Sequence, residues 1–105
     1  MFDANALDVL LQAKWAAFKE ALRRNDVEAS LQLLVGRIRD RYRPALQTLG
    51  GDLPAFAATL GDLRVISFQD GLAEAVTMRL ENGQRRVYFI YFVPDDDGIW
   101  RIVSI

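Results

Sequence analysis

The chain contains no histidine and no cysteine among its 105 residues. Histidine is the side chain that most often moves protons near neutral pH, and the cysteine thiolate is a common nucleophile and zinc ligand. Their absence excludes a disulfide scaffold, a thiolate zinc site and a cysteine nucleophile. We therefore expect no cofactor and no metal site, and the composition favours a non-catalytic role over an enzymatic one.

An excess of charge of one sign is also missing. The 13 basic and 14 acidic side chains give a net charge of −1, so no basic field supports binding to nucleic acid. No apolar run reaches the roughly 18 to 20 residues that span a membrane, and the first residues lack the pattern of a signal peptide. We expect a soluble protein, cytoplasmic as given or exported to the periplasm if a signal segment has been removed.

The composition that remains is that of an ordered globular protein. Hydrophobic residues make up 51% of the chain and charged residues 26%. Two separate cores would leave each about 50 residues, near the lower limit for independent folding. The sequence therefore predicts a single domain over residues 1–105.

The first half of the chain carries apolar residues at helical spacing. A long stripe predicts a helix from Asn5, as its cap, to about Arg24. A second helix is predicted to begin after Asp26 and to break near Arg43, because Pro44 fits poorly inside a helix. A short continuation to residue 49 and a last helix over residues 55–60 complete this half.

After residue 61 the apolar period changes from 3.6 to 2. Strands are predicted over residues 63–69, 72–81, 85–93 and 99–105, which gives an α+β fold with N-terminal helices on a bent four-stranded antiparallel meander. The pair Asn82 and Gly83 predicts a type I′ turn, because both central positions of that turn need positive φ.

This turn also predicts the register of the hairpin, in which paired residue numbers sum to 165. One face then holds Glu74, Val76 and Met78 opposite Tyr91, Phe89 and Val87; the other holds Ala73, Ala75 and Thr77 opposite Phe92, Ile90 and Tyr88. Both faces are apolar, and one helical layer covers only one of them. We expect the helices on the first face and a homodimer through the second, with Ile90 pointing outward.

Two sequence phrases carry a resemblance to a known family. Residues 25–29 (Asn-Asp-Val-Glu-Ala) follow a long helix with Trp15 and Phe18, and residues 97–102 read Asp-Gly-Ile-Trp-Arg-Ile. This order resembles the NTF2-like (SnoaL-like, cystatin-fold) superfamily, and within it small bacterial proteins without an assigned activity. The resemblance implies a cone of helices on a bent sheet, a pocket at its mouth and frequent dimers through the outer sheet face.

The function predicted from these features is a non-catalytic binding or interaction domain. It would use the cone pocket, for a small apolar ligand, or the exposed sheet face, for a second copy. The residues expected to line the pocket are Trp15, Phe18, Val76, Phe89, Tyr91 and Trp100.

An enzymatic alternative uses Glu74 and Tyr91. A carboxylate on an apolar face has a raised pKa, and a facing phenol could share its proton, as in a general acid or base. The alternative function is a small isomerase or dehydratase. A structural role for the pair, near the end of a strand, is the competing interpretation.

Three further charged groups have structural interpretations. The four arginines between Arg37 and Arg43 form either an anion patch or a solvated helix face on which Asp40 bridges Arg37 or Arg43. Residues 95–98 predict a hairpin turn rather than a calcium loop, because the spaced ligand pattern is missing. Arg79 opposite Arg86 requires neutralisation by Glu81 or by another chain.

Overall fold

The computed structural model describes residues 3–105, so residues 1 and 2 of the predicted domain lie outside the described residues. Its helices are α1 (Ala4–Arg23), α2 (Val27–Leu31), α3 (Arg39–Leu49) and α4 (Leu53–Thr59), with 3₁₀ turns at Gly36–Ile38 and Gly50–Asp52. Its strands are β1 (Leu60–Gln69), β2 (Leu72–Glu81), β3 (Gln84–Pro94) and β4 (Trp100–Ser104). The strands form one antiparallel sheet in the order β1-β2-β3-β4, which confirms the predicted α+β meander.

The cap of helix α1 lies two residues earlier than predicted, at Asp3 instead of Asn5. The side chain of Asp3, not Asn5, accepts hydrogen bonds from the backbone N–H groups of Asn5 and Ala6, at 3.0 and 3.2 Å. An aspartate at this position satisfies two of the donors that a helix start leaves free, so the Asn5 side chain is not needed as the cap. The apolar stripe of α1 is buried as predicted: Leu7, Leu11, Trp15, Phe18, Ala21 and Leu22.

The second predicted helix is interrupted much earlier than expected. Helix α2 ends at Leu31, a turn follows at residues 32 and 33, and Leu34 then forms a parallel bridge with Ile102 of β4. The Ile102 N–H donates to the Leu33 carbonyl and the Val35 N–H donates to the Ile102 carbonyl, both at 2.8 Å. The segment Leu33–Val35 therefore adds a short parallel pairing to the β4 edge, and this distant partner, rather than the local helical period, determines its conformation.

The predicted break near Arg43 is absent, because Pro44 lies inside α3. A proline removes the hydrogen bond to the carbonyl four residues earlier, which here belongs to Asp40. Asp40 is exposed in the first turn of α3, so water can hydrate that carbonyl. The helix continues to Leu49 and ends at Gly50, which has φ +48°.

The predicted register of the central hairpin is confirmed. All nine pairs from Ala73 with Phe92 to Glu81 with Gln84 have numbers that sum to 165. Asn82 and Gly83 have φ values of +51° and +77°, as a type I′ turn requires. The β1–β2 turn repeats this geometry at residues 70 and 71.

The assignment of the two sheet faces was wrong. Ile90 and Phe92 are fully buried beneath the helices, whereas Phe89 is 49% exposed on the opposite side. The helices pack on the face where Ala73 and Ala75 stand opposite the large side chains of β3, because small residues in β2 let the helical side chains interdigitate with the sheet. Ile90 therefore points inward, and the outer face is the one that contains Val76 and Phe89.

No helix within residues 3–105 is long and apolar enough to cross a membrane.

The Thr77 hydroxyl is a buried polar group without a hydrogen-bond partner in the described residues. Thr77 is 2% exposed on the covered sheet face. We expect Thr77→Val to raise the free energy of unfolding by about 1 kcal/mol, because it removes an unpaired hydroxyl and keeps the shape of the side chain. Urea unfolding measures the change, and Thr77→Ala, which leaves a void, serves as the destabilised control. A loss of stability in the valine variant would show that the hydroxyl is bonded in solution.

Gly83 tests whether the hairpin turn requires a glycine conformation. A Cβ at Gly83 would meet no atom within 4 Å, so Gly83→Ala adds only the strain of a positive φ, about 1 kcal/mol. We expect a melting temperature lower by about 4 to 8 °C. Gly51→Ala is the matched control, since Gly51 also meets no atom and has no positive φ. Equal melting temperatures for the two variants would contradict the turn assignment.

Candidate functional site

An apolar cavity of about 200 Å³ lies among helices α1, α3 and α4. Side chains from these helices form most of its wall, and three further residues complete it: Trp15, Phe18, Tyr42, Ala45, Leu46, Leu49 and Phe56, with Leu34, Leu60 and Ile105. Ala45 and Ile105 are exposed, so the cavity reaches the protein surface. We call this space the helical cavity.

Aromatic rings make up much of the wall of the helical cavity. The rings of Trp15 and Phe18 stack with centroids 5.8 Å apart and planes 25° apart. The indole N–H of Trp15 donates to the Gly61 carbonyl at 2.9 Å, so its polar atom is already satisfied. The Tyr42 hydroxyl makes no hydrogen bond within residues 3–105, so Tyr42 is the wall residue whose side chain keeps an unpaired polar atom.

The six residues predicted to line a pocket do not lie together. Trp15 and Phe18 line the helical cavity, as predicted. Val76, Phe89 and Tyr91 lie on the outer sheet face, as their alternation with buried residues requires. Trp100 lies in β4 with its ring 5.7 Å from that of Phe68, and it is not part of the cavity wall.

The helix α3 side of the cavity was not predicted. Ala45 and Leu46 lie three and four residues after Tyr42, and Leu49 lies four and three residues after them, so all four share one face of α3. That spacing was visible in the sequence, but the prediction placed a break near Arg43, which divides the face in two.

Glu74 and Tyr91 are paired as the register predicted. The Tyr91 hydroxyl donates to the Glu74 carboxylate at 2.9 Å. This hydrogen bond, followed by desolvation and the charge of Glu74, raises the pKa of Tyr91 above its usual value. Both residues lie on the outer sheet face, on the side of the sheet opposite the helical cavity. The pair is a hydrogen-bonded phenol and carboxylate that lies outside the cavity.

The centre of the outer sheet face is apolar and open to water. Met78, Leu80, Val87 and Phe89 are 44, 53, 56 and 49% exposed, and they belong to neighbouring pairs of the β2–β3 ladder. We call these four residues the outer patch. Within the β2–β3 ladder one charged residue lies at each end of this patch: Arg85 opposite Leu80, and Glu74 opposite Tyr91. Arg64 of β1, opposite Val76, lies on the same face.

Glu81 bridges the two arginines that face each other at the tip of the hairpin. Its carboxylate lies 3.2 Å from both Arg79 and Arg86, and it also accepts the Tyr88 hydroxyl at 2.8 Å. The Arg79 guanidinium lies over the ring of Phe56, 4.7 Å from its centroid, and donates to Thr59. The predicted like-charge pair is therefore compensated within the chain.

A second polar cluster joins the last hairpin to the segment after α2. Arg101 pairs with Asp97 at 2.7 Å and with Asp95 at 3.1 Å, and it donates to the Gln32 carbonyl at 3.1 Å. Asp95 also accepts the Gly36 N–H at 3.0 Å. Because its members bond one another and the backbone, we interpret the cluster as structural.

The turn predicted for residues 95–98 is confirmed. The Gly98 N–H donates to the Asp95 carbonyl at 2.8 Å, and Gly98 has φ +80°. The hydrogen bond from Arg101 lowers the pKa of Asp97 to about 2. Within residues 3–105 no group of three or more acidic side chains is placed to hold a metal ion.

The arginines of α3 and the preceding turn are mostly engaged within the chain. Arg43 forms ion pairs with Asp40 at 2.6 Å and with Glu28 at 3.0 Å, which confirms one of the two predicted Asp40 bridges. Arg39 donates to the carbonyls of Leu31 and Leu34 and so completes the end of α2. The remaining two, Arg37 and Arg41, are exposed.

Comparison of the chain with models of protein families, with curated proteins and with solved structures gives no match.

The Asp97–Arg101 ion pair predicts a pH dependence of stability. The pKa of Asp97 falls from 3.8 to about 2 in the folded protein, so its contribution to stability is complete above about pH 4 and is lost as the pH falls through 2. We expect Asp97→Asn to flatten the decrease in unfolding free energy between about pH 4 and pH 2. Urea unfolding at several pH values measures this slope.

Asp96→Asn is the matched control for this experiment. Asp96 precedes Asp97, and its side chain makes no hydrogen bond or ion pair in the described structure. The control should therefore keep the slope of the parent protein. Identical slopes for all three proteins would show that Arg101 does not hold the Asp97 carboxylate.

Proposed function

We propose that the protein is a non-catalytic interaction domain whose outer sheet face binds a second copy of the chain. The outer patch carries this proposal, because four large apolar side chains in adjacent register remain about half exposed. The helices pack on the other face, so no element within residues 3–105 removes this patch from water. A second copy would bury it.

The area of the face fits a small homodimer. The four strands have 10, 10, 11 and 5 residues. Spaced by about 4.8 Å, at about 3.3 Å per residue, they cover roughly 500 to 600 Å². Two such faces bury roughly 1,000 Å², the size at which specific interfaces begin. At about 25 cal/mol per Å² of apolar area, even part of this surface supplies a substantial driving force for association.

The charges at the ends of the outer patch favour one arrangement of the two copies. Arg85 is two residues before Val87 on β3, and Glu74 is two residues before Val76 on β2, so the charges flank the patch symmetrically. A two-fold axis that lies in the plane of the interface, at a right angle to the strands, reverses the strand direction in the partner. Each Arg85 then lies over the Glu74 end of the other copy, whereas an axis parallel to the strands would bring like charges together.

A second candidate function is binding of a small apolar ligand in the helical cavity. The observation that favours it is a nearly uncharged cavity of about 200 Å³ that reaches the surface. Membership of the NTF2-like superfamily is likewise proposed, supported by the order of helices followed by an antiparallel meander. The isomerase or dehydratase alternative with Glu74 and Tyr91 stays a prediction.

Charge reversal tests the proposed dimer and its orientation. Phe89→Glu should give a monomer of about 11.9 kDa, because it places a carboxylate in the centre of the outer patch. Glu74→Arg and Arg85→Glu should each weaken the dimer roughly tenfold, since each places like charges across the interface. The double variant should recover most of the affinity. Analytical ultracentrifugation over a range of concentrations measures the dissociation constants.

Two controls separate this result from general effects of charge. Arg41→Glu changes the charge equally on an exposed helix position far in sequence from the patch, and Tyr91→Phe removes the hydroxyl bound to Glu74 while keeping the ring. Neither should change the dissociation constant by as much as the charge reversals on the sheet. A mass that stays at 11.9 kDa at all concentrations would reject the dimer, and a double variant weaker than both single variants would reject the proposed orientation.

A further inference from the structure

The volume of the helical cavity limits the size of what it can hold. An engineered apolar cavity of about 150 Å³ in another protein stays dry and takes one benzene ring. The helical cavity, at about 200 Å³, has room for one six-membered ring with one or two further non-hydrogen atoms. A steroid-sized or long-chain molecule does not fit within this volume.

The wall favours an aromatic occupant. Trp15 and Phe18 present stacked rings, and Tyr42 and Phe56 add two more. Aromatic pairs with offset or edge-to-face geometry gain free energy beyond the burial of their area. An aromatic ring in the cavity therefore packs among several aromatic side chains.

The wall also disfavours a charged occupant, because none of its ten side chains is ionised at neutral pH. A carboxylate or ammonium would lose its hydration without gaining a counter-charge. Two cations lie over rings of the wall, and both have partners already. Arg79 lies over Phe56 and is bound by Glu81 and Thr59. Lys19 lies over Trp15 and donates to the Gly61 carbonyl. The free hydroxyl of Tyr42 can satisfy one hydrogen-bonding group.

We infer that the helical cavity binds a small neutral aromatic molecule with a single ring and one hydrogen-bonding group, as in a simple phenol, held through the Tyr42 hydroxyl. This inference rests on the second candidate function, the ligand-binding cavity, and names the chemical class of its ligand. It is independent of the proposed dimer, which uses the opposite face of the sheet.

The test is a titration of the full chain with three molecules of nearly the same shape, followed by ¹H–¹⁵N correlation spectra. The probes are p-cresol, toluene and p-toluate, which carry a hydroxyl, no polar group and a carboxylate. We expect p-cresol and toluene to shift the indole N–H signal of Trp15, p-cresol to bind more tightly than toluene, and p-toluate to bind most weakly. The Trp100 indole signal, outside the cavity wall, is the internal control.

Two variants locate the site and the polar contact. Tyr42→Phe should weaken p-cresol binding about fivefold, the value of one hydrogen bond, and leave toluene binding unchanged. Ala45→Phe should block both molecules by filling the cavity. Gln47→Phe adds the same ring to the same helix outside the cavity wall, so it should bind both molecules as the parent protein does.

The outcomes separate the two levels of the proposal. If neither p-cresol nor toluene shifts the Trp15 signal at millimolar concentration, the ligand-binding cavity itself is rejected. If both bind but p-toluate binds as tightly as p-cresol, or Tyr42→Phe leaves the ratio of p-cresol to toluene affinity unchanged, the cavity stands and the neutral phenol-like class is rejected.

Discussion

A single layer of helices can desolvate only one face of a sheet, and this sheet is apolar on both faces. The helices cover the face on which Ala73 and Ala75 leave room between the large side chains of β3. The other face keeps the outer patch in contact with water. The core, the exposed surface and the proposed dimer all follow from this one constraint, because every apolar residue of β2 and β3 must belong to one face or the other.

The two halves of the chain are joined at the β4 edge. The segment Leu33–Val35 pairs with Ile102 through two backbone hydrogen bonds, and Arg101 extends the connection through Asp95 to the N–H of Gly36. This connection ends α2 early and redirects the chain into α3. The orientation of α3 in turn places Tyr42 and Leu46 in the same cavity wall as Trp15 and Phe18 of α1, so the helical cavity depends on a strand at the far end of the sequence.

The candidate sites therefore occupy opposite sides of the molecule. Ligand binding in the helical cavity involves the helices and their contacts, whereas self-association involves β2 and β3. Glu74 contributes to the second surface through its charge and through its bond to Tyr91. Because the sites are separated, a substitution in one of them makes no direct contact with the other, and the role of each site can be tested by itself.

The sequence by itself determined the features that depend on neighbouring residues. The period of the apolar residues identified α1 and the strands, and Asn82 with Gly83 set the register of the whole β2–β3 ladder, because only a turn with two positive φ values joins the strands so tightly. Only the tertiary structure decided which face the helices cover, since both parities of β3 are apolar and alternation cannot distinguish inside from outside. The tertiary structure also decided where α2 ends and which residues share the cavity wall with Trp15. Ile102 lies about 70 residues beyond Leu33, and local patterns carry no information about such a distant partner.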